Sequence, residues 1–120
     1  MGNTGQQYME MTVSTRGWFG KRKPMSAQLV KFNRFGLMFS STRKLKPGQY
    51  LEINLSCGCL SLREVVARVE SCERAGKGYL FDARFVLERP DKRPYREAML
   101  LLKSIEQSLP NGLRAPLHMG

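Results

Sequence analysis

Lys31-Phe32-Asn33-Arg34-Phe35-Gly36-Leu37-Met38-Phe39 is the stretch that decides how this chain is read. A strand-like run, Met25 to Phe32, enters it, and a second, Leu37 to Ser41, leaves it. Between them sits a corner holding an Asn, a cation and one Gly. Gly reaches positive φ at little steric cost, so Gly36 marks a sharp turn between two strands.

Working outward, the same period of two recurs. Met9, Met11 and Val13 alternate with Glu10, Thr12 and Ser14, the pattern of a half-buried strand. Arg16 to Pro24, with two glycines and a proline, reads as a hairpin loop that carries the only Trp, Trp18, beside Lys21, Arg22 and Lys23. Trp18 can stack on a base or lid the core from that position. Beyond the corner, Arg43-Lys44-Leu45-Lys46-Pro47-Gly48 is a basic turn preset by Pro-Gly. Leu51, Ile53 and Leu55, then Val65, Ala67 and Val69, then Tyr79, Phe81, Ala83, Phe85 and Leu87 each share a face. Six strands at short spacing with no helix between them predict a mainly all-β fold, a six-stranded antiparallel barrel that removes its open edges by closure. Tyr95, Ala98, Leu101 or Leu102, Ile105 and Leu109 then recur at three and four, which predicts a C-terminal α-helix over about 94–109 that packs on the barrel or serves a partner. The division is a single domain over 1–112 and a flexible tail over 113–120.

At 120 residues the chain suffices for one core. Its three cysteines cannot all pair, which fits a reducing compartment, and with no signal peptide and no apolar run long enough to span a bilayer the expectation is a cytoplasmic protein. The formal charge is +10, with +7 of it in residues 1–60, which suggests a polyanionic partner or a solvated basic surface. Cys57-Gly58-Cys59 with Cys72 and His118 matches no common zinc spacing, so no metal is expected. No P-loop, dinucleotide fingerprint, nucleophile elbow or zinc-protease motif occurs, and a lone His leaves no Ser/His or Cys/His couple. The chain reads as a binding module without catalytic residues.

The order of elements resembles the PilZ domain family, bacterial barrels that read the second messenger cyclic di-GMP. The resemblance covers about residues 8–109. It rests on the corner closed by Gly36-Leu37-Met38-Phe39, the Lys46-Pro47-Gly48 turn before Leu51-Glu52-Ile53, the Val65-Val66-Ala67-Arg68-Val69 strand, and Tyr79-Leu80-Phe81-Asp82-Ala83-Arg84-Phe85. Members bind their ligand through Arg-x-x-x-Arg before the first strand and Asp/Asn-x-Ser-x-x-Gly at the corner. Here Lys31 stands in the acid or amide position, Asn33 in that of the serine and Gly36 in that of the glycine, and Met1 to Gln7 contain no arginine. Lys31 has three donors and no acceptor for guanine N1 and N2, and the arginine forks that pair with phosphate are missing.

The resemblance therefore implies a regulatory domain with an eroded ligand motif. It would act through protein–protein contact in the motility, pilus or biofilm control of bacterial cyclic di-GMP signalling. An alternative is a cyclic di-GMP receptor with a nonstandard basic set, Lys31, Asn33, Arg34 and Gly36 with Arg16, Lys21, Arg22 and Lys23. A second alternative is a small basic barrel that binds nucleic acid.

Overall fold

Alternating apolar and polar residues build one antiparallel sheet, and its curl follows from how the strands are linked. The structure, a computed structural model, describes residues 9–16, 22–87 and 93–115. Trp18, Lys21 and His118 lie outside these. The strands are β1 (Glu10–Arg16), β2 (Arg22–Met25), β3 (Gln28–Asn33), β4 (Gly36–Ser41), β5 (Tyr50–Cys57), β6 (Leu60–Ala75) and β7 (Gly78–Phe85), in the order β2-β1-β5-β6-β7-β4-β3. One helix, α1 (Arg93–Ser108), and a 3-10 turn (Asn111–Leu113) follow.

The expected closed barrel of six strands is corrected to an open, curled sheet of seven. The run read as one strand from Met25 to Phe32 breaks at Ser26 and Ala27. Arg22 to Pro24, read as loop, pair instead with β1, with Val13 opposite Met25 and Ser14 opposite Pro24. Pro24 is tolerated because β2 is an edge strand, where a missing N–H costs no ladder bond. The ladder directions make β2 and β3 point the same way, and parallel neighbours need a crossover of a dozen residues or more. Two residues cannot provide one, so β3 follows β2 instead of pairing with it. Seven strands about 4.8 Å apart would span roughly 29 Å if flat, while two linking residues reach only about 10 Å. The sheet must curl to bring its edges together. Register shifts after Leu29, between Ile53 and Leu55, and between Val69 and Ser71 sharpen that curl. At the second, Asn54 Oδ1 accepts the N–H of Glu64, which sits at φ 59°.

The concave face holds the core: Val13, Leu29, Phe32, Phe39, Ile53, Ala67, Phe81 and Phe85 are buried. Phe39 and Phe81 lie 5.1 Å apart between ring centres and Phe32 and Phe85 5.9 Å, both tilted pairs. Leu45, from the basic turn, is also buried. Helix α1 packs on β6 and β3 through Leu102 and Ile105, with Leu109 just beyond its end. Those positions share one face at the three and four spacing that predicted the helix. Arg114 and Ala115 then run beside β3, where the N–H of Ala115 donates to the carbonyl of Phe32 at 2.8 Å. Among the described residues no helix is long and apolar enough to cross a membrane.

Candidate functional site at the β3–β4 corner

The corner is built from the inside by Asn33. Its side chain is fully buried at the end of β3, and Oδ1 accepts the N–H of Phe35 at 2.8 Å and of Gly36 at 3.0 Å. This short-range side-chain bonding is what makes Asn a turn residue. Gly36 is required for a different reason from the expected positive φ. Its φ is not positive; a Cβ there would collide with the backbone carbonyl oxygen of Ala83 on β7. Close approach of β4 to β7 fixes the glycine.

Arg34 projects onto α1. Its backbone N–H donates to Glu106 Oε2 at 2.8 Å, its Nε to the same oxygen at 3.4 Å and its Nη2 to Oε1 at 2.7 Å. Glu106 is only 7% exposed. Burial pushes its carboxyl up, but the hydrogen bonds and charge of Arg34, with the charge of Arg114, bring it below the usual carboxylate range. The hydrogen bond to Glu106 in turn holds Arg34 above the ordinary arginine value. Lys31 Nζ donates to the carbonyl of Gly112 at 2.8 Å. Arg114 Nε and Nη2 donate to the carbonyls of Leu109 and Gln107, both at 2.8 Å, and so satisfy the end of α1.

Thus Lys31, Asn33, Arg34 and Gly36 form one joint between sheet and helix. Lys23 is elsewhere, exposed on β2 opposite Thr15. Arg16 and Arg22 pair at the far end of that hairpin. Glu106 was not singled out from the sequence, although a signal exists: it stands four residues after Leu102 and three before Leu109, on the buried face of the helix.

Beside the corner, Phe35, Gly36, Glu70, Asp82, Ala83 and Arg84 line a hollow of about 180 Å³. Asp82, half-buried, has its carboxyl raised by burial and by nearby Glu70, against a lowering influence of Arg84. Phe35, 42% exposed, and Tyr50, 55% exposed, are the exposed aromatic side chains among the described residues. The register runs one row from Tyr50 opposite Arg68, through Arg68 opposite Arg84, to Arg84 opposite Gly36, the residue after Phe35. Arg68 also lies 3.7 Å from Glu70 on the surface. Cys57 is buried, and burial pushes its thiol up, which disfavours the reactive thiolate. Among the described residues no group of three or more His, Cys, Asp or Glu could hold a metal ion. The chain matches no family model and no curated protein.

Proposed function

We propose that this chain is a non-enzymatic, PilZ-like regulatory module that acts through protein contact and does not take cyclic di-GMP in the family's usual mode. One observation carries the reading. The polar side chains of the corner are engaged within the chain: Lys31 and Asn33, at positions that bind ligand in that family, with Gly112 and with the turn itself, and Arg34 beside them with Glu106. A guanine or phosphate arriving there would have to displace the part-buried, charge-assisted bonds of Arg34 to Glu106 and the bond of Lys31 to Gly112. Exposed beside this joint is Phe35, flanked by Arg84, residue types that dominate protein contacts. The place of the module in bacterial motility or biofilm control rests on the resemblance alone.

Backbone NMR with cyclic di-GMP tests the first half. The corner amides are expected to stay in place, and saturable shifts at Phe35 and Gly36 would refute the reading. A photo-crosslinking residue at position 35 tests the second half. It is expected to capture a discrete protein that the same residue at Arg63 does not; equal capture at both positions would count against contact through the corner.

A second reading is favoured by the row from Tyr50 through Arg68 to Arg84, which shares a hollow with Phe35, because arginines between exposed aromatics suit a single-stranded nucleic acid. Glu70 and Asp82 offset those arginines, so it ranks below the first. Binding of a single-stranded oligonucleotide that falls steeply with salt and is lost in Tyr50→Ala would support it. No binding at low salt would dismiss it.

A further inference from the structure

Strand polarity places a second polar cluster at the end of the sheet away from the corner. Gly36 begins β4 and Ser41 ends it, about 16 Å further along at strand spacing. At that end Ser41 faces Tyr79, the second residue of β7, and Tyr79 faces Arg74 on β6. The β6–β7 hairpin comes hard against β4 there, since a Cβ on Gly78 would lie 2.6 Å from the carbonyl oxygen of Ser41. The link between β2 and β3 arrives at the same place, where Ser41 Oγ donates to the carbonyl of Ser26 at 2.6 Å. These three segments enclose a cleft of about 270 Å³ lined by Ser26, Gln28, Ser40, Ser41, Thr42 and Tyr79, with Ala75 and Gly78.

The chemistry of this cleft is one-sided. Six of its lining residues carry neutral hydrogen-bonding groups and none is acidic. Ser41 is internally committed, since Oγ also accepts the N–H of Arg43 at 3.2 Å. Among the described residues, the hydroxyls of Ser26, Ser40, Thr42 and Tyr79 have no side-chain hydrogen bond within the chain. Three cations neighbour the lining residues, Arg43 next to Thr42 and Lys77 next to Gly78 in the chain, and Arg74 across the ladder from Tyr79. All three are exposed, and among the described residues none forms an ion pair. Arg74 and Tyr79 are directly opposed, so their side chains leave the same face of the sheet. Hydroxyl donors in the lining and arginine forks next to it suit a tetrahedral group with several acceptor oxygens. A bounded cleft, in contrast to a long basic stripe, suits a small molecule instead of a polymer.

We propose that the cleft between the β2–β3 link, the end of β4 and the β6–β7 hairpin binds a small phosphate-bearing ligand through the Ser26, Thr42 and Tyr79 hydroxyls and the cations Arg43, Arg74 and Lys77. Free phosphate and an organic phosphate monoester share this chemistry, and the test separates them. The ¹⁵N-labelled full chain is titrated with inorganic phosphate and, in parallel, with glycerol 3-phosphate, both against sodium chloride at equal ionic strength. The expected result is saturable amide shifts confined to Ser26, Ser40–Arg43 and Arg74–Tyr79. Tighter saturation by glycerol 3-phosphate assigns the cleft to organic phosphates, and equal or tighter saturation by inorganic phosphate assigns it to the free anion. Arg74→Gln and Lys77→Gln are each expected to weaken the response by roughly tenfold, the loss of one charge-assisted pair, while Arg63→Gln on the far part of the sheet leaves it unchanged. Shifts that fail to saturate, that chloride reproduces, or that reach Arg63 and Lys103 equally would overturn the proposal, as would undiminished binding in both rim variants.

Discussion

The two ends of one four-strand region treat similar residues in opposite ways. At the corner, an Asn, an Arg and a Lys all find partners inside the chain: a turn, a helix carboxylate and a backbone carbonyl. At the rim, Arg43, Arg74 and Lys77 find no ion-pair partner among the described residues. Both ends hold polar side chains beside a glycine pressed against a neighbouring strand, Gly36 on Ala83 and Gly78 on Ser41. The difference lies in what covers them. Helix α1 and the segment that follows it close the corner end and bring Glu106 and the Gly112 carbonyl with them. Polar residue types at a turn therefore say little about ligand binding until the groups that pack on that turn are known.

The sharpest way to break this comparison is at the corner glycine. Gly36→Ala drives a Cβ into a backbone oxygen on β7, and neither strand can yield without disturbing its ladder. We expect a loss of about 3 kcal/mol in urea unfolding, at the upper end for overpacking. Gly76→Ala makes the control. Open space surrounds that position, but its φ of 58° strains any other residue, and the expected loss is about 1 kcal/mol. A smaller loss at Gly36 than at Gly76 would mean that close approach is not what fixes the corner.

Next in size is Glu106→Ala. It removes the acceptor for three donors of Arg34 in a nearly buried setting, and about 2 kcal/mol is expected. Its pH dependence has a definite sign. Because the folded carboxyl is held below its ordinary value, its stabilisation is fully present above the ordinary carboxylate pKa and disappears as pH falls through the lowered folded value. Wild type and variant should thus converge in acid; a gap that persists there would show that packing, not charge, is what Glu106 supplies. Asp82→Asn tests the reverse case beside the same corner. With its folded carboxyl raised, Asp82 favours folding below its ordinary value and loses that contribution as pH rises through the raised one. The variant should melt slightly higher than wild type at neutral pH and lose that advantage in acid.

These residues also show what was legible in the sequence. The period of two located β4, β5 and β7, and the three and four spacing located α1, because each depends on one buried face that hydrophobicity reports directly. β2 was hidden because Gly17, Gly20 and Pro24 punctuate the sequence like a loop, and nothing local reveals that Pro24 will stand on an unpaired edge. Closure was overestimated for the same reason: two strands pointing the same way, two residues apart, appear in sequence as one. Leu45 was hidden by its cationic neighbours Arg43, Lys44 and Lys46, although it alone turns inward. Glu106 was hidden because a carboxylate on a helix is ordinarily solvated, and its partner Arg34 lies 72 residues away. The corner residues could be found from sequence, but their engagement with the helix could not, since it depends on that long-range contact.

The smallest expected effect sharpens the comparison most. If the rim cations do nothing for the fold, Arg43→Gln, Arg74→Gln and Lys77→Gln should each change stability by less than about 0.5 kcal/mol, as exposed substitutions without partners do. Combined, they remove three like charges from one end of a chain with a net charge of +10, so the triple variant should be no less stable than wild type and should show a weaker gain in stability with added salt. The corner behaves otherwise, because removing Arg34 leaves the buried Glu106 without its main partner. A rim variant that destabilised as Glu106→Ala does would show that these cations hold the hairpin in place, and the contrast between the two ends would fail. Silence at the rim beside sensitivity at the corner would mean that the fold requires one set of cations and leaves the other available for a ligand.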